Sequence, residues 1–248
     1  MHSVEILGVR VDDVTMAETV AYVGQCLGEP AAPCRQIATV NPEFVMTARR
    51  QPDFASVLAA SDLNLPDGAN LVRAARLLGR PLRERVAGSD LIWRLAERGA
   101  ECGWRVFMLG AGEGVAAQAA AKLCARYPAL RIVGVWSGSP AASEQDSLVA
   151  RVNASGAQLL WVAYGAPAQD LWIARNRARL KVQVAMGVGG SFDFVAGRLP
   201  RAPAWMQRAG LEWLFRLGLQ PWRIRRQLVL AKFAGLIFLE WAKQKSRR

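Results

Sequence analysis

Polar side chains follow two apolar runs in the first third of the chain. Thr39 and Asn41 end one run, and Asp67 follows the other inside the Pro-Asp-Gly turn at 66–68. A carboxylate at such a point can act as a general base, and hydroxyl and amide groups beside it suit the recognition of sugar hydroxyls. The same residue types also build ordinary turns, and for an isolated Pro-Asp-Gly the turn is the stronger interpretation. Both interpretations stay open at this point.

Two further segments combine a charge or an amide with a turn. Arg85 and Asp90 flank Gly88, a pattern that suits either a phosphate clamp or a pair of solvated charges. Gln169 follows the Gly-Ala-Pro turn at 165–167 and stands at the start of a helical pattern. Taken alone, that position indicates a capped helix. Arg85 and Gln169 are nevertheless the candidate substrate-binding residues of these two segments.

A glycine-rich turn follows the apolar run at 105–109. Gly110 and Gly112 belong to the sequence Gly-Ala-Gly-Glu-Gly, which precedes an alanine-rich helical pattern. A turn between a strand and a helix can present backbone N–H groups to a phosphate. The spacing falls short of the full dinucleotide fingerprint, so nucleotide binding and simple close packing are about equally favoured.

The chain offers almost no histidine chemistry. Its one histidine is His2, and its four cysteines lie far apart in the sequence. We therefore expect neither a catalytic triad that contains histidine nor a metal ion bound by histidine. We also expect no other metal site and no cofactor. Any general base must be a carboxylate.

The remaining pattern predicts an α/β fold. Near-continuous apolar runs alternate with helical periodicity, which is typical of a mostly parallel, Rossmann-like sheet with helices on both faces. In such sheets ligands bind at the carboxyl ends of the strands. We expect the catalytic body to cover residues 1–197. The predicted strands lie within 4–11, 35–40, 63–65, 105–109, 131–136, 158–164 and 182–188.

We expect residues 198–248 to form a basic, helical appendage. They carry a net charge of +10 out of +12 for the whole chain, together with four of the nine tryptophans. Arg, Lys and Trp beside apolar residues suit an anionic lipid surface better than a nucleic-acid backbone. The longest apolar stretch, 228–241, spans roughly 21 Å as a helix and is too short to cross a bilayer. With no signal peptide visible, we expect a peripheral protein on the cytoplasmic face of the cell membrane.

Three arginines in the appendage recur at helical spacing. Arg216, Arg223 and Arg226 are seven and three residues apart, although Pro221 interrupts the geometry. They form either a solvated charge stripe or a cluster that neutralises a diphosphate leaving group.

Taken together, the motifs resemble the WecG/TagA/CpsF family of bacterial glycosyltransferases. The resemblance runs from about Thr39 to Arg226. The ordered series is far more specific than any single motif. It consists of TVN, PDG, RVAGSD, GAPAQD, GVGGSFDFVAG, RAPAW and GLEWLFRL.

The resemblance implies an inverting, metal-independent transfer of a sugar from a UDP-sugar to a polyprenyl-diphosphate-linked sugar, such as GlcNAc, during synthesis of cell-surface polysaccharide or teichoic acid. N-acetylmannosamine is the favoured sugar. The alternatives are UDP-glucose or UDP-N-acetylmannosaminuronate transfer in exopolysaccharide or common-antigen synthesis, and, from another class, an NAD-dependent oxidoreductase. The implied partners are the donor, the lipid-linked acceptor and an anionic membrane, with no nucleic acid; a homo-oligomer is compatible with the sequence.

The resemblance also implies roles for individual residues. Asp67 corresponds to the catalytic base. Two positions depart from the family, which usually has Glu at Asp170 and at Gln220. The other implied site residues are Thr39, Asn41 and Gln169 around the sugars, Gly110, Gly112 and Asp193 at the nucleotide, and Arg216, Arg223 and Arg226 in the appendage.

Overall fold

A parallel sheet forms the centre of the part of the chain that the structure describes. The structure is a computed structural model. It describes residues 2–29, 33–200, 202–203, 205–206, 212–219 and 224–246, and of residues 212, 213, 216, 219 and 224–227 it describes the backbone alone.

The strands and helices follow one another in regular alternation. The strands are β1 (Ser3–Ile6), β2 (Val9–Asp12), β3 (Arg35–Val40), β4 (Leu63–Pro66), β5 (Arg105–Gly110), β6 (Arg131–Trp136), β7 (Leu159–Ala163) and β8 (Val184–Gly187). The helices are α1 (Met16–Leu27), α2 (Pro42–Ala48), α3 (Pro52–Ala60), α4 (Ala69–Leu77), α5 (Gly88–Cys102), α6 (Val115–Arg126), α7 (Gln145–Ala154), α8 (Ala168–Asn176), α9 (Ser191–Ala196), α10 (Glu212–Leu219) and α11 (Ile224–Ser246). A short 3-10 helix, Ala142–Glu144, precedes α7.

The strand order places a crevice in the middle of the sheet. Among the described residues, six parallel strands pair in the order β4-β3-β8-β7-β5-β6, and β1 and β2 form a separate antiparallel hairpin. The chain leaves β5 towards β6 and leaves the adjacent β7 in the opposite direction, towards β8. Such a switch point opens a crevice at the carboxyl ends of the strands, where ligands bind in doubly wound sheets. The predicted α/β fold with a parallel sheet is confirmed.

Apolar side chains cover both faces of the sheet. On one face, Met108 and Trp161 pack with α1, α5, α6 and α9 in one core cluster. On the other face, Phe107 and Leu160 pack with α7 and α8. The helices α2, α3 and α4 continue that second layer over β3. Burial on both faces explains why these strands appear in the sequence as continuous apolar runs.

The C-terminal helix α11 packs against the body through one side. Phe233 and Ile237 are buried in the same core cluster as α2, α3 and α4, whereas Leu228, Phe238 and Leu239 are exposed. Among the described helices, none has the length and apolar character needed to cross a membrane. The division into a body of residues 1–197 and an appendage of residues 198–248 stays a prediction, and α11 shares its core with the body.

Candidate active site

The turn that carries Asp67 packs onto the end of the neighbouring strand. The Asp67 N–H donates to the carbonyl oxygens of Val40 (2.9 Å) and Leu65 (3.0 Å), which fixes the turn where β4 ends. A Cβ at Gly68 would lie 2.8 Å from Cδ of Pro42, so only glycine permits this approach. The half-buried Asp67 is thereby held beside the start of α2, at the carboxyl edge of the sheet.

Asn41 has a structural task as well as a place in the site. Its Oδ1 accepts hydrogen bonds from the backbone N–H groups of Glu43 (2.9 Å) and Phe44 (3.1 Å), so it caps α2. The cap fixes the orientation of the amide. A ligand would therefore meet the amide nitrogen of Asn41 and not its carbonyl oxygen.

Arg85 lies on the other side of the Asp67 turn. The N–H of the next residue, Val86, donates to the carbonyl oxygen of Pro66 at 3.0 Å. The guanidinium lies 3.6 Å from the Asp90 carboxylate (Nη2 to Oδ2) and is about a quarter exposed. The structure therefore brings a cation to the edge of the sheet next to Asp67.

Thr39 and Gln169 lie beneath this edge, and both bond to the segment that follows β8. The Thr39 hydroxyl donates to the carbonyl oxygen of Gly187 (3.2 Å), and the Gly189 N–H donates to Oε1 of Gln169 (2.9 Å). The two side chains are only 5% and 1% exposed. In this structure they shape the floor of the site and the segment after β8.

Asp170 is a buried carboxyl group beside Gln169 that sequence reasoning noted only as a departure from the family. It is fully buried, and neither carboxyl oxygen has a hydrogen-bond partner among the described residues. A Cβ at Gly187 would lie 2.9 Å from Oδ1 of Asp170 and would overlap the Gln169 amide nitrogen. Burial raises the pKa of Asp170 to about 7, because the charged form loses its water. The nearby Gln169 amide lowers the pKa of Asp170 and so offsets part of the effect of burial. The two side chains are nevertheless not arranged well enough to count as hydrogen-bonded.

The glycine turn after β5 lies at the crevice, two strands from Gly187. Gly110 and Ala111 both adopt positive φ angles, +98° and +64°. A Cβ at Gly110 would lie 2.9 Å from the carbonyl carbon of Ala163, so the turn presses against the end of β7. Gly112 follows directly, and α6 begins after Gly114 without a side-chain cap. Such a turn suits the phosphate binding that the sequence suggested.

Asp193 lies in the first turn of α9, directly after the glycines that follow β8. Helix α9 packs along α6, the helix that begins at the glycine turn. The edge therefore carries two groups of candidate residues, one around Asp67 and one at the crevice. Four strand spacings of about 4.8 Å separate β4 from β5, so the two groups span roughly 19 Å along one edge.

The appendage residues can be placed only in part. Arg216 belongs to α10 and Arg226 to α11, but their side chains lie outside the description. Arg223 and Gln220 lie outside the described residues altogether.

Within the described residues, no group of three His, Cys, Asp or Glu side chains is arranged to hold a metal ion.

The fold and the polar edge define the class to which this protein belongs. It is one of the α/β enzymes that bind their ligands at the carboxyl ends of a doubly wound parallel sheet.

Comparison with known proteins narrows this class to one family. The family model for the "Glycosyl transferase WecG/TagA/CpsF family" matches residues 4–247, and the chain belongs to that family. It is therefore a glycosyltransferase, as predicted.

Two curated relatives carry the same name, N-acetylglucosaminyldiphosphoundecaprenol N-acetyl-beta-D-mannosaminyltransferase. The protein from Bacillus subtilis (strain 168) is 35% identical over 211 residues, which cover 85% of this chain and 81% of the relative. The protein from Bacillus spizizenii is 36% identical over 201 residues, which cover 81% of this chain and 77% of the relative.

Proposed function

We propose that this protein transfers N-acetylmannosamine from UDP-N-acetylmannosamine to polyprenyl-diphosphate-linked GlcNAc, with inversion at the anomeric carbon. The observation that carries the proposal is the placement of Asp67, the only candidate base that the motifs indicate, beside Asn41 and Arg85 at the ligand-binding edge of the sheet. The names of the two relatives, which act on a diphosphoundecaprenol-linked GlcNAc, support the choice of sugar and acceptor.

The proposed reaction is a single displacement. The acceptor hydroxyl oxygen forms a bond to the anomeric carbon while the bond from that carbon to the UDP oxygen breaks, and UDP leaves with the electron pair. Asp67 takes the hydroxyl proton as the bond forms. One base in line with the reacting carbon is sufficient for this geometry.

The departing UDP needs positive charge. Arg85 is the cation nearest to the Asp67 turn among the candidate residues described. We assign the main part of this task to Arg216, Arg223 and Arg226, because guanidinium groups match diphosphate oxygens in charge and geometry. Gly110, Gly112 and Asp193 would hold the nucleotide, and no metal is assigned a role.

The reaction is tested by measuring UDP release from a panel of UDP-sugars, with a synthetic polyprenyl-diphosphate-GlcNAc acceptor and EDTA present. We expect release from UDP-N-acetylmannosamine that requires the acceptor and survives EDTA. Release from UDP-glucose or UDP-N-acetylmannosaminuronate instead would replace the proposed donor by one of the alternatives. Loss of release with EDTA would contradict metal independence.

The lipid-linked acceptor requires the enzyme to work at a membrane. We assign the contact, on the cytoplasmic face, to the exposed apolar residues of the appendage, of which Phe238 and Leu239 are 58% and 56% exposed. Lys243 and Lys245 lie in the last turn of the same helix. Apolar side chains next to cations favour anionic lipid surfaces.

Substitution of Phe238 and Leu239 by Ser is expected to reduce pelleting with anionic liposomes several-fold, because the apolar contact is lost while the net charge is kept. The matched control is Leu77→Ser, which replaces an exposed leucine at the end of α4. Point substitutions are preferable to truncation, since removing α11 would uncover the surface that Phe233 and Ile237 bury. Equal pelleting of the double variant and the control would place the membrane contact elsewhere.

A further inference from the structure

Two adjacent arginines follow the helix on which the C-terminal helix docks. Of the described helices, α11 packs most extensively against α2. Arg49 ends α2 as its C-cap, and Arg50 belongs to the short turn that leads into α3. Both side chains are exposed. The body therefore presents two cations directly after the helix that carries α11.

The exposed side of α11 points away from the body. Phe233 and Ile237 are buried in the core that α2, α3 and α4 share, whereas Leu228, Phe238 and Leu239 are exposed. At 3.6 residues per turn, the three exposed residues lie across the helix from the two buried ones. Because they include the proposed membrane contact, α11 lies between α2 and the lipid surface.

The end of α2 is close enough to that surface to respond to its charge. Packed helix axes lie about 8–10 Å apart, and an interfacial helix sinks its apolar face about 5–10 Å into the headgroup boundary. The negative potential of anionic lipids extends a further Debye length, about 8 Å at physiological ionic strength. Arg49 and Arg50 therefore lie within reach of the potential of the lipid surface.

Neither arginine is neutralised by a neighbouring carboxylate. Among the described residues, no carboxylate lies within ion-pair distance of Arg49 or Arg50. The Arg50 Nε donates to the carbonyl oxygen of Met46 (3.2 Å), which uses one of its five N–H donors. The nearest carboxylate along the chain, Asp53, lies in the first turn of α3, where the helix N-terminus stabilises its charge. Both guanidinium groups thus keep their full charge for an external anion.

We propose that Arg49 and Arg50 form a second membrane contact, on the body itself, that binds the phosphate groups of anionic lipids. The proposal rests on the membrane contact of α11 proposed above. Guanidinium groups match phosphate oxygens in charge and geometry. A single interfacial helix leaves the body free to turn about the helix axis, whereas a second contact beside the helix restricts that rotation. The two contacts together keep the carboxyl edge of the sheet in one orientation towards the lipid-linked acceptor.

The test measures pelleting of the full-length protein with vesicles made of equal parts of phosphatidylglycerol and phosphatidylcholine. We expect the double variant Arg49→Gln, Arg50→Gln to bind about tenfold more weakly, because two cations are lost next to an anionic surface. The double variant Arg49→Lys, Arg50→Lys keeps both charges and should retain most of the affinity. Vesicles of phosphatidylcholine alone should bind the unchanged protein and the glutamine variant equally.

Two arginines on the opposite face of the sheet provide the matched control. Arg94 and Arg98 on α5 are exposed, and they pair with Glu97 (3.2 Å) and Glu101 (2.7 Å). The double variant Arg94→Gln, Arg98→Gln loses the same net charge and should bind the mixed vesicles nearly as well as the unchanged protein. Thermal unfolding checks that each variant is folded. Arg49→Gln alone serves if the double variant at the end of α2 does not fold.

The outcomes separate this inference from the proposed function. Unchanged pelleting of the Arg49 and Arg50 glutamine variant would overturn the second contact and leave the contact of α11 intact. An equal loss in the α5 control would do the same, because only the total charge would then matter. A loss in the lysine variant as large as in the glutamine variant would also contradict a contact through charge. Failure of the unchanged protein to pellet with the mixed vesicles would overturn the proposed contact of α11, and the second contact with it.

Discussion

Replacement of Asp67 by Asn is expected to lower kcat for sugar transfer by about a thousandfold, because the acceptor hydroxyl loses the group that takes its proton. The amide has nearly the same shape as the carboxylate. The turn should therefore persist, since it is fixed by the Asp67 backbone N–H and by the close contact of Gly68 with Pro42. UDP affinity should change little. The measurement combines single-turnover transfer with UDP binding by calorimetry.

Asp193→Asn is the informative comparison for Asp67→Asn. Asp193 lies on α9, which packs along the helix that starts at the glycine turn, so its replacement should weaken donor binding more than it slows the chemical step. A lower kcat in Asp67→Asn and a higher KM for the donor in Asp193→Asn would distinguish the catalytic base from the group that binds the donor. Turnover retained within a few-fold in Asp67→Asn would remove Asp67 from the role of base.

The inner strands were predictable because strands buried on both faces are apolar along most of their length. The edge strand β6 is only partly buried, but it too is apolar from Ile132 to Trp136. All six strands of the central sheet fall at the predicted places. Their order could not be predicted, because it depends on pairs such as β3 with β8, whose residues lie far apart in the sequence. The crevice between β5 and β7 exists only in that order.

Two helices escaped prediction for identifiable reasons. Helix α2 starts at Pro42 directly after Asn41. Asn before Pro is typical of turns, but the same pair also begins helices, because Asn caps them and proline suits the first helical position. Helix α5 starts at Gly88 after Ala87, with no side-chain cap, so its beginning has no local signal. The RVAGSD motif, residues 85–90, therefore runs into the first turn of α5.

The site residues were identifiable by type, but their partners were not. The bond from Thr39 to the Gly187 carbonyl joins residues 148 positions apart, and that from Gly189 to Gln169 joins residues 20 apart. Neither contact leaves a pattern in the sequence. For Asp170 the family resemblance marked an unusual residue, yet only the structure reveals that its carboxyl group is fully buried and has no hydrogen-bond partner among the described residues.

Asp170 should make the stability of the protein fall as the pH rises from about 4 to about 7. The unfolded chain releases this proton near the ordinary aspartate pKa of about 3.9. In the folded protein burial raises the pKa to about 7. Between these values the folded state binds more protons than the unfolded state, so the free energy of unfolding decreases by about 1.4 kcal/mol per pH unit, roughly 4 kcal/mol in all. Above pH 7 both states are ionised and the contribution becomes constant.

Asp170→Asn isolates this contribution because an amide stays neutral at every pH. We expect the stability of the variant relative to the unchanged protein to rise by several kcal/mol between pH 4 and pH 7, measured by urea unfolding. Asp146→Asn, which removes a carboxylate that is 87% exposed on α7, controls for the substitution itself.

A difference between Asp170→Asn and the unchanged protein that does not vary with pH would mean that Asp170 is ionised in the fold. A partner would then have to reach it through the floor that Gln169 and Gly187 form. A pH-dependent difference would mean that the floor of the site contains a neutral acid, so ionisation above pH 7 places a new negative charge beside the amide that holds the segment after β8.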